Sequence, residues 1–578
     1  MDAQYDLVIR NGSILDGSGK DAFMGDVAIA EGRIGAVGVV EGRGRAEIDA
    51  AGLTVTPGFI DIHTHYDGHV TWEERSVPSG EHGVTTVVTG NCGVGFAPVR
   101  APDRDRLVSL MAGVEDIPEV VMTEGLRWNW ESFPEYMDAV AEQRHDVDVA
   151  VMLPHAALRL FVMGNRAVVR EPATEADIAE MRKLTREAIR AGAIGVGTSR
   201  ALQHKAITGE SVSTARVGCD ELIGIAKGMS DEGRGVFQLL NDFQEGQAIE
   251  EEFALMRDIA AESGRPLSYT LHQKAADPEG WRDMLRKTQQ ANDDGITMRA
   301  QVIGRPTGVL VGFELTVHPF VGCPSYQPIA KLPFAERIAA LRDPALRAKL
   351  VKEEPIDMSQ VGIAVGRAFK RMFELGTPPN YEPDPETSIA KRAKAAGVSP
   401  AELAYDLMLE EDGHAILFLA AQDYEYGDLE VTRAMLEDPN SLLGLGDGGA
   451  HCGVICDASF PTHMLAFWAR DRKRGPTLPL PWVVNALTAQ AAAAIGLTDR
   501  GTIAPGQIAD INIIDVDRIQ LGQPEVRYDL PAGGRRIVQG ATGYVATIKS
   551  GVVTYRNGEP SGAMPGKLLR AHELAAAA

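Results

Sequence analysis

The sequence predicts an α/β protein, a TIM-like (β/α)8 barrel joined to a small β-sandwich built from both ends of the chain. Three observations predict it. Short apolar runs alternate with amphipathic helical stretches about eight times through the middle of the chain, the pattern of a closed parallel sheet wrapped by helices. A His-x-His pair follows directly on the first of those runs. Short Val- and Ile-rich segments with Gly turns occupy both ends and not the middle.

Taken in order, 1–56 reads as the first part of the sandwich. Asn11-Gly12 and Glu31-Gly32 punctuate its apolar runs, which is hairpin chemistry. The barrel is expected over 57–493, with strands near 58–63, 85–89, 147–153, 194–198, 236–240, 267–271, 296–303 and 442–446. Stretches such as 175–191 and 249–263 are apolar at i, i+3 and i+4 and charged elsewhere, so they read as the covering helices. The run 415–422 is a possible further strand. Residues 325–410, rich in Lys, Arg, Glu and Pro, break the rhythm and read as an insertion or lid at the barrel mouth. Strand-like segments return at 501–503, 509–514, 544–549 and 552–555, so 494–570 completes the sandwich and 571–578 is a tail.

Composition narrows the partners. With 57 Lys and Arg against 80 Asp and Glu, the formal charge is −23, which argues against nucleic acid or an anionic membrane surface and for a small-molecule substrate. No uncharged apolar run reaches the roughly 18–20 residues of a membrane span. The five cysteines, Cys92, Cys219, Cys323, Cys452 and Cys456, are too scattered for a disulfide framework, and a reducing compartment fits them. The N-terminus has no basic patch followed by an apolar stretch. The expectation is a cytoplasmic protein with a surface compatible with a homo-oligomer.

The chemistry-bearing residues cluster at the expected strand ends. In Pro57-Gly58-Phe59-Ile60-Asp61-Ile62-His63-Thr64-His65, two imidazoles spaced by two share one side of an extended chain. At a barrel strand's C-terminal end that side is the mouth, where two histidines can hold one metal ion. Cys92, in Thr89-Gly90-Asn91-Cys92-Gly93, falls just past the next strand; its residue type suits either a buried small hydrophobe or a zinc-binding thiolate. Asp447 ends the last apolar run among glycines, in Gly446-Asp447-Gly448-Gly449, where a carboxylate can ligate metal and act as general base and acid. His272, after 267–271, is a further possible ligand. His155, His204, Arg305 and Tyr426 are weaker site candidates, and His414 and His572 read as surface residues.

With these residues in place, the sequence resembles the amidohydrolase superfamily, and within it the N-acyl-D-amino-acid deacylase (D-aminoacylase) branch. The Pro57-to-His65 block, Asp6-Leu7-Val8-Ile9-Arg10-Asn11-Gly12 and Gly501-Thr502-Ile503-Ala504-Pro505-Gly506 are similar to the superfamily frame. Gly83-Val84-Thr85-Thr86-Val87-Val88 with Gly90-Asn91-Cys92-Gly93, and the late Pro565-Gly566-Lys567-Leu568-Leu569-Arg570, resemble the deacylase branch. The resemblance implies an enzyme with one or two Zn2+ ions, ligated by His63, His65, Cys92 and Asp447, that hydrolyses a linear N-acyl amide. Two departures stand out. The branch offers a histidine at the end of the fifth strand, where this chain has Gln238-Leu239-Leu240-Asn241-Asp242. After the sixth strand it has a His-His-Lys-like stretch, and here Leu271-His272-Gln273-Lys274 places His272 on the ligand and Lys274 on the substrate carboxylate, or, shifted by one, Leu271 on the ligand. A cyclic amide or imide hydrolase of the dihydropyrimidinase kind and a degenerate, metal-free binding barrel are the alternatives.

Overall fold

The structure is a computed structural model, and it describes residues 4–241, 249–356 and 365–571. Asp242, His572 and the rest of the expected tail lie outside the described residues.

Eight parallel strands form the central sheet. In chain order they are Phe59–Asp61, Val84–Thr89, Asp148–Pro154, Gly195–Ser199, Val236–Leu240, Leu267–Thr270, Met298–Val302 and Ser441–Leu443. Each pairs with the next in sequence, and each falls within or beside one of the eight expected runs. The first and last meet just past their C-terminal ends. There Thr64 and Gly448 form a parallel bridge, Asp447 N–H donates to the His63 carbonyl (3.0 Å) and His65 N–H to the Gly448 carbonyl (2.8 Å). The bonds that close the sheet are thus made by the backbone of the His-x-His and of Asp447-Gly448 itself.

These strands are covered on both faces, so they are buried along their whole length instead of alternating. The helices cover them with one stripe each. In Glu175–Ala191, Met181, Thr185, Ala188 and Ile189 are buried at spacings of three, four and one, one face of a 3.6-residue period. Thr174 and Asp177 form a capping box at its start, and Gly192 ends it at φ 118°.

The chain ends join as expected, in a particular form. Their strands make one nine-stranded sheet that forks at Tyr5–Ile14. Tyr5 to Arg10 pair with Gly44–Asp49, whereas Ser13 and Ile14 pair with Thr54–Pro57. Leu7, Ile9, Val27, Ile511, Ile513 and Ile548 form its core. Residues 501–503 form no strand, although Ile503 joins that core. A separate hairpin, Gln520–Leu530 with Gly534–Thr542, was not legible in the sequence, because its strands are largely polar with weak alternation.

A buried charge cluster ties this sheet to the N-terminal end of the barrel, where Asp148 opens the third strand. Its carboxylate meets Arg500 (2.5 Å) and Lys549 (2.9 Å), and Lys549 also meets Asp510 (2.8 Å). The late Lys567–Leu569 segment runs beside the same strand, with Val149 N–H donating to the Lys567 carbonyl.

The insertion is wider than 325–410. It opens with strand Gly308–Val311 and closes with Leu417–Ala420, which with Met372–Glu374 form a three-stranded antiparallel sheet. The possible strand at 415–422 therefore exists but belongs here; an apolar run reports burial and does not say in which sheet. Helices Phe334–Leu341, Pro344–Leu350, Ile389–Ala396 and Pro400–Met408 accompany it, and Phe313, Phe320, Leu341, Tyr405 and Leu419 give it its own core. Thr307 and Gln422, at its two ends, both line the barrel-mouth cavity. No helix among the described residues is long and apolar enough to cross a membrane.

Candidate metal centre at the barrel mouth

His63 and His65 follow the first strand, and both are buried. Each presents Nε2 to a common centre. His63 Nε2 lies 3.4 Å from Cys92 Sγ and 3.4 Å from Asp447 Oδ1, and His65 Nε2 lies 3.5 Å from the same Asp447 oxygen. Ligand atoms of His63, His65 and Cys92 all lie within 4.8 Å of one another. This is metal-ligand chemistry, two imidazoles and a thiol with a carboxylate beside them. His63, His65, Cys92 and Asp447 thus lie together.

Local backbone geometry aims these groups. Cys92 sits in a turn after the second strand at φ 52°, and Asp447 follows the eighth at φ 47°. Left-handed conformations at non-glycine residues persist only where the surroundings over-determine them, and they gather at functional sites. Gly90 at φ 87° is required: a Cβ there would stand 2.1 Å from the Met152 carbonyl oxygen. The Cys92 N–H is held by Gln238 Oε1 at 2.7 Å, and His63 Nδ1 is held by Gln301 Oε1 at 2.6 Å.

The charges are tightly opposed. Burial pushes the His63 imidazole down to about 4, against the pull of Asp447. Burial acts the same way on His65, but Glu115, Asp447 and Cys92 hold it well above the ordinary value. Partial burial pushes the Asp447 carboxyl up, yet His65 and His63 keep it below the usual carboxylate range. Burial pushes the Cys92 thiol up to about 11 despite His65. A divalent cation matches such a site, because it replaces the imidazolium as the positive charge and ionises a coordinating thiol.

The centre opens into a cavity of about 260 Å3. A larger cleft of about 450 Å3 lies between the insertion and the 520–542 hairpin, and none of these ligands lines it. Leu240, Ile303 and Leu445 line the site cavity together with His204, His272 and His451. The fifth strand therefore presents Leu240 where the resemblance leads one to expect a histidine, Leu271 is buried in the barrel core, and Asn241 donates to the Thr270 carbonyl.

The remaining candidates fall out unevenly. His272 lines the cavity but lies outside the close ligand group; its Nδ1 is 2.7 Å from Asp423 Oδ2. Lys274 lies in the turn before helix Gly280–Asp293, its backbone bridged to Asp277, and is not among the cavity-lining residues. Arg305 is buried behind the cavity, bonded to Asp457 (Nε, 3.0 Å) and Ser459 (3.0 Å) and stacked on Tyr381. It positions Asp457, which lines the cavity, and is itself enclosed. Tyr426 is exposed at 53% and bonds Glu279. His155 is a core histidine between Thr198 and Glu221. His414 is half-exposed and pairs with Glu314; both line the larger cleft and not the site cavity. Sequence reasoning missed Asp457, which lines the cavity, and Glu115, Gln238, Gln301 and Asp423, each distant in the chain from the histidine or cysteine it holds. His451, two residues past the Gly446-to-Gly449 stretch, was given no role.

The match to the amidohydrolase family model spans residues 46–555, taking in the barrel, the insertion and most of the C-terminal strands of the terminal sheet. The chain belongs to the amidohydrolase family. This amidohydrolase is 32% identical to a D-aminoacylase of Alcaligenes xylosoxydans xylosoxydans over 260 residues, which is 44% of the chain and 49% of that relative. It is 28% identical to an N-acyl-D-aspartate deacylase of the same organism, over 89% of the chain and 86% of the relative. Among solved structures, D-aminoacylase matches with a TM-score of 0.64 and 20% identity, covering 98% of this chain and 100% of that one. The N-acyl-D-glutamate deacylase of Bordetella bronchiseptica, complexed with zinc and a phosphonate inhibitor, matches with 0.63 and 22% over the same shares. The fold and family expected from the sequence are those of the molecule.

Proposed function

We propose that this amidohydrolase is a zinc enzyme that hydrolyses the amide bond of an N-acyl amino acid, of the D series as in its deacylase relatives. The observation that carries the reading is the approach of His63, His65 and Cys92 to within 4.8 Å of one another, with Asp447 Oδ1 beside both imidazoles. These four residues would hold the ion. When bound, it supplies Lewis-acid polarisation of the acyl carbonyl and a water of lowered pKa.

The chain's own groups supply the rest. Asp447 is about a quarter exposed toward the cavity, so it can accept the proton of the attacking water and return it to the departing amine nitrogen. Leu240, Ile303 and Leu445 give the cavity an apolar lining for an aliphatic acyl or side chain. His272, steadied by Asp423, faces the same space as a substrate contact. The free cysteines support a reducing, cytoplasmic setting, and the acidic surface is compatible with a homo-oligomer.

The test is elemental analysis of the wild type and of the His63→Ala/His65→Ala double variant, followed by assay on paired N-acetyl-D- and N-acetyl-L-amino acids. Zinc present in the wild type, lost in the double variant, with turnover of the D series, is the expected result. A protein that neither takes up zinc nor turns over either series would overturn the reading.

A further inference from the structure

The two site histidines divide their ring nitrogens in the same way. Each turns Nε2 to the centre and Nδ1 outward. For His63 the outward partner is Gln301, at 2.6 Å. For His65 the group facing Nδ1 is Glu115, whose Oε1 stands 3.5 Å away. Both atoms are buried and neither has a hydrogen-bond partner. A carboxylate buried for packing alone would need partners of its own, and this oxygen has none except the imidazole it faces.

The other Glu115 oxygen serves a second imidazole. Oε2 lies 3.4 Å from His451 Nε2, and the His451 N–H donates to the Glu115 carbonyl. His451 lies four residues past Asp447 and lines the cavity. The next residue, Asp116, accepts from Gly453 N–H and from the Thr316 hydroxyl, both at 3.1 Å. The end of helix Arg104–Glu115 therefore clamps the loop after the eighth strand. Asp116 at φ 51° and His451 at φ 50° are both in the left-handed region, as expected of a loop held from outside.

We propose that Glu115 is a positioning residue that orients two imidazoles at once. It holds His65 with its Nδ1 proton outward and Nε2 free for the ion, and it holds His451 in the cavity through Nε2. A carboxylate behind a ligating histidine fixes its tautomer and ring orientation and raises its basicity. The His65 half of the proposal rests on the metal-centre reading above; the His451 half does not. Because one carboxylate serves both rings, the ligand side and the substrate side of the cavity are set by a single residue.

Glu115→Gln keeps the shape but has one acceptor oxygen, so it cannot accept from both imidazoles. Zinc affinity of the metal-stripped protein, read by chelator competition, is expected to weaken about ten- to a hundredfold in E115Q. Equal affinity in E115Q and a zinc-binding wild type would overturn the proposal while leaving the metal centre standing. A wild type that takes up no zinc would overturn the metal-centre reading and the His65 half with it. Should E115Q not fold, the wild type itself decides. In 15N-histidine-labelled protein, with the His451 signals identified by their loss in His451→Ala, Nε2 is expected to carry the proton, and an Nδ1–H tautomer would overturn the proposal.

Discussion

The backbone N–H of Cys92 donates to Gln238 Oε1 across 2.7 Å, so a fifth-strand side chain holds the turn that follows the second strand. Gln238 thereby fixes a thiol it does not touch. Gln238→Leu leaves that N–H buried without a partner, a cost of about 1–3 kcal/mol. It also frees Cys92 to leave its left-handed conformation. The variant should lose that stability in urea unfolding and bind zinc more weakly by chelator competition. Unchanged zinc affinity would show that the turn is held by its glycines alone.

Asp447 differs from the other three ligand candidates in being partly exposed to the cavity. Its amide analogue keeps an oxygen toward His63 and His65 but cannot take a proton from water. Asp447→Asn should therefore retain zinc and lose about 10²–10⁴ in kcat. Zinc content and turnover measured on one preparation separate the two roles. Full activity with metal bound would remove Asp447 from proton transfer.

How far the site was legible follows from what placed each residue. His63, His65, Cys92 and Asp447 lie within four residues of the end of an apolar run, and a barrel carries strand ends to one mouth, so strand order alone brings them together. Glu115 ends a helix between the second and third strands, and nothing in Val114-Glu115-Asp116 distinguishes it from a solvated helix end. Arg305 and Tyr426 have residue types suited to substrate but are claimed by Asp457 and Glu279, pairings that only the packed chain reveals. The eight barrel strands were readable because burial on both faces leaves short runs poor in charge between the amphipathic helices. The 520–542 hairpin, mostly polar and half-exposed, left no such mark.

His82 lies outside the site and gives the fold a sensitivity to acid. Its ring spans Thr462 Oγ1 (2.7 Å) and the Gln539 carbonyl (2.6 Å), joining the barrel to the 520–542 hairpin. Burial pushes its pKa down to about 4 from an ordinary 6.5, with the Gln539 bond acting the other way. A depressed value means that the unfolded chain binds the proton first. The stability present above about 6.5 is then lost as pH falls toward 4, up to about 3 kcal/mol. His82→Gln does not titrate, so its urea midpoint should change less than that of the wild type between pH 7.5 and 5. Parallel pH profiles would assign the acid sensitivity elsewhere.

The charge cluster at the closed end of the barrel should behave as structure alone. Arg500 is buried between Asp148 and Asp510, and its charge and that of Lys549 hold the Asp148 carboxyl below the usual range despite burial. Arg500→Met leaves Lys549 as the single buried cation against two carboxylates. Breaking a buried pair in this way costs about 3–5 kcal/mol, because the stranded charge stays buried. The exposed pair Arg347–Asp406 offers the contrast, since Arg347→Met should cost no more than about 1 kcal/mol. Activity per folded molecule and zinc content should be unchanged in both variants, because neither contact lies at the barrel mouth. If Arg500→Met lowered zinc content at full folding, the terminal sheet would be coupled to the metal centre through the length of the third strand.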